Sequence, residues 1–221
     1  MSSVLVQGGI LFEAFGNAKT VRNDNSSRFG KYIKLLYNNR GDSIYTAVTE
    51  TFLLEKSRLV SVGEGERNYH IFYQLIRGLR LINPLLAAKL YLTSEDDSLK
   101  EFNMLYMGNC SVISNPDEDV QEFSNTINAL NIIGVKEIEE LWSILACLLH
   151  LGNFQISNED SETQGTAEVE CLSMPIDELA EILGLSINRL LTALTTQNIV
   201  AGRRASIKIK ILTVEEVMLY N

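Results

Sequence analysis

The chain has 221 residues, 46% hydrophobic and 21% charged, with 14 Gly, 3 Pro and 3 Cys. That excludes fibrous, disordered and disulfide-stapled classes and predicts one large domain or two small ones around a packed core. A formal net charge of −9 argues against a nucleic-acid binder, which needs Lys and Arg clustered on phosphates.

The three thiols, Cys110, Cys147 and Cys171, are widely spaced, and residues 1–6 carry no signal peptide. Both point to a reducing, cytoplasmic setting. No window reaches the roughly 18 uninterrupted apolar residues of a bilayer-spanning helix, so a soluble protein without a transmembrane segment is expected. Charge is uneven along the chain. Residues 1–40 hold six cations against two anions, whereas residues 155–188 hold eight acids and no Lys or Arg. An anionic ligand is therefore expected near the N-terminus.

In chain order, residues 9–22 start apolar (Ile10, Leu11, Phe12, Ala14, Phe15) and turn polar at Gly16, predicting a short helix that enters a loop. The polar run Asn23-Asp24-Asn25-Ser26-Ser27-Arg28 follows. Residues 32–37 and 44–54 are β-branched and aromatic and flank Asn38 to Asp42, predicting a β-hairpin. Beyond Asn68 the period changes to 3.6: Ile71, Phe72, Leu75, Ile76 and Leu79 share one helical face.

The rest reads as mostly helical. Asn115-Pro116-Asp117-Glu118 is a helix start, with an Asn cap, Pro in the first turn and acids at the positive end of the dipole. Its stripe Val120, Phe123, Ile127, Leu130 ends at Gly134. Further stripes run over Ile138 to Leu149, over Ile176 to Leu183 with Gly184 as the stop, and from a Ser186 cap through Leu194. Residues 157–170 read as a mobile acidic loop. Residues 207–211 (Ile-Lys-Ile-Lys-Ile) alternate as a strand or extended loop, and the last residues read as an interruption.

Between an apolar helix and an apolar strand, the loop 23–28 can present hydroxyls to a metal, amides to phosphate oxygens and a fixed cation to an anion. The plainer alternative is a solvated turn. His70 and His150 lie on apolar helical faces with no partner at ligand spacing, so a packing role is expected. Cys147 reads as a small core residue, and Asp96-Asp97 and Asp117-Glu118-Asp119 as solvated caps. Arg203-Arg204-Ala205-Ser206 is a cationic approach to a hydroxyl that a basic-directed kinase can modify.

Residues 13–31, Glu-Ala-Phe-Gly-Asn-Ala-Lys-Thr-Val-Arg-Asn-Asp-Asn-Ser-Ser-Arg-Phe-Gly-Lys, closely resemble the switch I segment of the myosin motor domain. Leu-Leu-Glu-Lys-Ser-Arg at 53–58, Gly-Glu-Arg-Asn-Tyr-His-Ile-Phe-Tyr-Gln-Leu at 65–75 and Leu-Leu-His-Leu-Gly-Asn at 148–153 resemble motifs that follow in that family, and the similarity runs in order from about 7 to 220. The resemblance implies a predominantly helical α/β fold of the phosphate-loop NTPase superfamily, here a partial motor. Residues 1–67 would carry switch I and a hairpin of the central sheet. Residues 68–221 would form the helical upper actin-binding subdomain, with an actin-facing loop at about 200–212.

It implies that Asn23 and Asn25 contact ATP, that Ser26 meets the γ-phosphate and helps relay a proton, that Ser27 ligates Mg²⁺, and that Arg28 pairs with an acid on switch II. Actin is the implied partner and the actin cytoskeleton the implied location. Ser206 falls where many myosins carry an acid or a phosphorylatable hydroxyl, most like the heavy-chain-kinase site of class I-like myosins. No G-x-x-x-x-G-K-[S/T] occurs in the chain, so, with switch II also outside it, the chain alone is expected to be inactive as an ATPase. A truncated, non-catalytic actin- or protein-binding module is the rival reading, and a phosphate-loop GTPase relative a third.

Overall fold

The computed structural model describes residues 2–92, 98–110, 116–158, 167–201 and 206–211, and the chain divides into two compact units, Met1–Leu149 and His150–Asn221. Helices on both sides of residues 67 and 68 pack together in the first unit, Ser2–Gly16 against His70–Ile82 and Pro116–Ile133. In the first unit, α1 (Ser2–Gly16) runs into β1 (Asn17–Ala18), which pairs antiparallel with β2 (Ser26–Ser27). α1 starts well before the expected Gly9. Gly16 closes it, because the Phe29 ring lies where a side chain at 16 would project, and Phe29 in turn stacks obliquely on Phe12, centroids 5.8 Å apart.

Strands β3 (Gly30–Tyr37) and β4 (Ile44–Phe52) form the expected hairpin, in register from Gly30↔Phe52 to Leu36↔Thr46, with an irregularity at Leu36/Tyr37. Asn38 builds its turn. Its Oδ1 accepts from the Arg40 and Asp42 amides, while its Nδ2 donates to Asp42 Oδ1 and Ser43 Oγ, both at 2.7 Å. Gly41 supplies the left-handed residue, at φ 71°. Apolar side chains stay exposed on both faces of this ribbon: Tyr32 and Leu36 on one, Ile33, Leu35 and Tyr37 on the other. Two strands alone are marginal in water, so the hairpin is stabilised by little besides its own ladder.

A 3₁₀ turn at Lys56–Leu59 leads to α2 (His70–Ile82), α3 (Pro84–Lys89) and, after a second 3₁₀ turn at Ser98–Glu101, α4 (Asn103–Tyr106), α5 (Pro116–Ile133) and α6 (Ile138–Leu151). The predicted stripe of α2 is buried to within 3% exposure at every position, Ile71, Phe72, Leu75, Ile76 and Leu79, each side chain contributing about 2 kcal/mol. α2 packs on α1, α3 and α5. Pro116 opens α5 as expected, whereas Asn115, its expected cap, lies outside the described residues, as do Asp96 and Asp97. The Phe123 ring of α5 meets Trp142 of α6 at 4.9 Å, and Gly134 ends α5 at φ 93°.

In the second unit, β5 (Phe154–Asn158) pairs antiparallel with β6 (Ala167–Cys171). Residues 157–158 and 167–170, expected as loop, therefore belong to a hairpin, and residues 159–166 lie outside the described ones. The strands form despite Glu168 and Glu170 because alternation puts Phe154 opposite Cys171 and Ile156 opposite Val169 in cross-strand pairs. α7 (Ile176–Ile182), stopped by Gly184, and α8 (Ile187–Thr195) follow. Ser186 precedes α8, but its side chain makes no capping bond; its carbonyl accepts the Arg189 and Leu190 amides instead. β7 (Thr196–Ala201) and β8 (Ser206–Ile211) form the last hairpin, so the alternating 207–211 is a strand. Ser206 pairs with Ala201 at its tip, and Arg203 and Arg204 lie outside the described residues. Among the described residues no helix is long and apolar enough to cross a membrane.

Gly78 sits where α2 meets α5, and a Cβ added there would lie 2.5 Å from Phe123 Cβ. Gly78→Ala gains helix propensity but forces the two helices apart. It is expected to lower the urea midpoint by the equivalent of about 1–3 kcal/mol with the m-value unchanged; an unchanged or raised midpoint would show that the contact is loose.

Candidate functional site

The loop 19–25 is a lariat closed by the β1–β2 pair, with the Arg28 amide donating to the Gly16 carbonyl at 2.8 Å. A turn inside it is closed by the Thr20 amide on the Asn23 carbonyl, 2.8 Å, and Asn23 Oδ1 accepts the Asn25 amide, 2.9 Å, an Asx turn. Asn23, Asp24, Asn25 and Ser27 are exposed, and Ser26 and Arg28 half-buried. The loop is open to solvent on one side and clamped on the other.

Asn25 is the clamp. Its Oδ1 accepts from Asn17 Nδ2 at 2.9 Å and stands 3.2 Å from His70 Nε2, and its Nδ2 donates to Glu13 at 3.1 Å. Because Asn25 Oδ1 is an acceptor, His70 carries its proton on Nε2. His70 is 6% exposed, and its Nδ1 has no partner among the described residues. Burial first, then the Arg67 charge, pull the His70 pKa down to about 4. The expected packing role thus becomes a definite one: neutral His70 holds the loop through Asn25. Lys19 pairs with Asp24 at 2.6 Å, neutralising the one acid of the loop.

Ser26 and Arg28 act together. Arg28 Nη1 donates to Ser26 Oγ at 3.1 Å, and Arg28 Nε to Glu55 Oε2 at 2.6 Å. The same Oε2 accepts from Arg58 Nε at 2.7 Å. Although burial opposes it, the two guanidinium groups hold the Glu55 pKa below the usual carboxylate value. Arg58, 4% exposed, also donates to Glu66 Oε2 at 3.0 Å and to the Arg67 carbonyl at 2.9 Å. Arg67, fully buried, donates from Nη2 to both Asp119 oxygens at 2.9 Å and stacks on Tyr73, 3.7 Å from the ring centroid. Arg77 also donates to Asp119. Two sets of ion pairs, bridged by the Arg58 hydrogen bond to the Arg67 carbonyl, therefore link the loop to α5.

Asp119 corrects the sequence reading. It is no solvated cap but is 4% exposed between two arginines, because Arg67 is taken out of water and must be neutralised. Glu55, Arg67 and Asn17 also serve the site; they lie within the family-like motifs, and the one local signal of pairing is Glu55 three residues before Arg58. Ser27 Oγ donates to the Phe29 carbonyl at 2.9 Å. Cys147 is a core residue, 1% exposed, its thiol pushed up to about 11 by burial. His150 is buried with Nδ1 2.8 Å from Ser173 Oγ, again a packing role. The described residues hold no group of three or more His, Cys, Asp or Glu suited to a metal.

Residues 1–220 match the myosin head (motor domain) family. The chain belongs to that family. It is 43% identical over 190 residues to Myosin-3 of Arabidopsis thaliana (85% of this chain, 15% of that protein). It is 47% identical over 156 residues to Myosin-51 of Schizosaccharomyces pombe (70% and 10%). It is 41% identical over 200 residues to unconventional myosin-Ic of Danio rerio (89% and 18%). This myosin head chain thus spans under a fifth of the length of these relatives, and their identities do not set one class above another.

A base whose folded pKa lies below its unfolded value stabilises the fold above the unfolded pKa and loses that contribution as pH falls. For His70 the window runs from about 6.5 down to about 4, worth on the order of 3 kcal/mol across it. Replacing His70 with Gln, which keeps a donor for Asn25, is expected to flatten the fall in urea stability between pH 6.5 and 5, before most carboxylates titrate. An unchanged slope would show that His70 is protonated in the folded protein.

Proposed function

We propose that this chain supplies the γ-phosphate-sensing loop and part of the actin-binding half of an actin-dependent Mg-ATPase motor of the cytoskeleton, with ATP and Mg²⁺ as cofactors and actin filaments as partner in the cytoplasm. The observation that carries the reading is the loop's two-sidedness: Ser26 and Ser27 on a strand whose backbone and Arg28 anchor are fixed from behind. Arg28 donates to Ser26 Oγ, so the Ser26 hydroxyl proton is left to donate to a phosphate oxygen or to pass on a proton. The Ser27 hydroxyl spends its proton on the Phe29 carbonyl, which leaves oxygen lone pairs, the hard donor that Mg²⁺ takes.

Bound Mg²⁺ would neutralise charge on the phosphates. Asn23 is exposed for nucleotide contact, whereas Asn25 reaches a ligand only with what its inward bonds leave. Arg28, held by Glu55 here, is the residue that would pair with an acid supplied from outside the chain. This division suits phosphoryl transfer, where positioning and charge stabilisation matter more than covalent participation.

The test replaces the matching segment of a complete relative's head with this chain. Actin-activated ATPase activity is expected, with Ser27→Ala or Ser26→Ala reducing kcat by about 10²–10³, and none from the chain alone. Absence of activity in the chimaera, with actin co-sedimentation by the chain alone, would favour the non-catalytic interaction module instead.

Ser206, at the tip of the β7–β8 hairpin, is the proposed target of a heavy-chain kinase, adding charge to the actin-facing side. In the chimaera, Ser206→Glu should raise actin activation over Ser206→Ala; equal rates would refute it.

A further inference from the structure

A cleft of about 250 Å³ opens beside the loop, lined by Ile10, Glu13 and Ala14 of α1, by Asp24 and Asn25, by His70 and Gln74 of α2, and by Glu118, Asp119 and Glu122 of α5. Its lining carries five carboxylates, and its α1 wall is apolar through Ile10 and Ala14. Asp119 is neutralised by Arg67 and Arg77, and Asp24 by Lys19, which leaves Glu13, Glu118 and Glu122, all exposed, as the net charge. His70 lines the same cleft, buried, with its proton on Nε2 and with Nδ1, an acceptor, unpartnered among the described residues. Every one of these groups accepts hydrogen bonds, and none suits an anion.

We propose that this cleft binds a guanidinium group, carried either by a free small molecule or by an arginine side chain. A point-like metal ion does not fit, since among the described residues no three such ligands converge. A guanidinium does, being planar, weakly hydrated and equipped with donors in several directions, so it meets acceptors on separate walls while its face and stem lie against Ile10 and Ala14. An ammonium, more strongly hydrated and compact, gains less there. The cleft shares Asn25 with the lariat, so occupancy of the cleft would be felt at the Asn25 amide. Binding itself needs neither nucleotide nor actin, and its test is independent of the motor reading.

The experiment titrates the full chain at low salt with agmatine, with N-acetyl-arginine amide and with urea, a neutral isostere of the head group, following binding by calorimetry and by NMR of the 19–25 amides. Agmatine or the capped arginine is expected to bind with Kd on the order of 1 mM, shifting the Asn25 amide, and urea not at all. Tighter binding of the capped arginine assigns the site to a polypeptide side chain, and tighter binding of agmatine to a free cation. Glu118→Gln with Glu122→Gln, two exposed positions, should weaken binding at least about tenfold with the circular dichroism unchanged. No binding of either guanidinium compound, urea binding equally well, or equal affinity in the double variant overturns the proposal.

Discussion

The first unit is organised around a single electrostatic necessity: Arg67 is fully buried, and its charge must be met inside the protein. Asp119 meets it from α5 with both oxygens, Arg77 makes Asp119 worth burying, and the Tyr73 ring covers the guanidinium face. Burying that set of charges is costly, and a lone member would cost several kcal/mol, so the partners cannot separate. That ties residue 67, in an irregular segment, to residue 119, in a helix, and so sets where α2 starts relative to α5. The Arg67 amide also donates to the Lys19 carbonyl, so the base of the lariat is positioned by the same residue.

From that anchor the order of the loop follows. His70, immediately before the packed stripe of α2, is presented at the helix start by the fixed Arg67-Asn68 segment, in which Asn68 Nδ2 donates to the Met104 carbonyl. His70 then reaches Asn25. The loop is accordingly shaped by helices rather than by its own sequence. Its polar residues are divided, with Asn17 and Asn25 spent inward and Asn23, Ser26 and Ser27 toward solvent or half so.

Much of this was legible in the sequence. The period change at Asn68 gives α2, the β-branched runs on either side of Asn38 give the β3–β4 hairpin, and the family motifs locate the loop. What was not legible is whatever depends on pairs far apart in the chain. Nothing near Asp119 announces that Arg67, 52 residues earlier, will need it, and an acid in the first turn of a helix ordinarily serves the dipole in water. The β5–β6 hairpin was hidden for another reason: acidic composition reads as loop, and only the cross-strand pairing of Ile156 with Val169 reveals the ladder. Both exposed faces of β3–β4 were equally unreadable, since a run apolar on both sides is the pattern of a strand covered on both sides.

Glu55 has a further consequence because it is shared unequally. Arg58 keeps Glu66 and the Arg67 carbonyl as well as Glu55, whereas Arg28, the more exposed of the two, has Glu55 and a serine hydroxyl. Were Arg28 to detach, the deeper arginine would remain neutralised and no bare charge would be stranded in the interior. The contact is therefore laid out like a clutch, with its separable plate at the solvent end and the gear train meshed behind it.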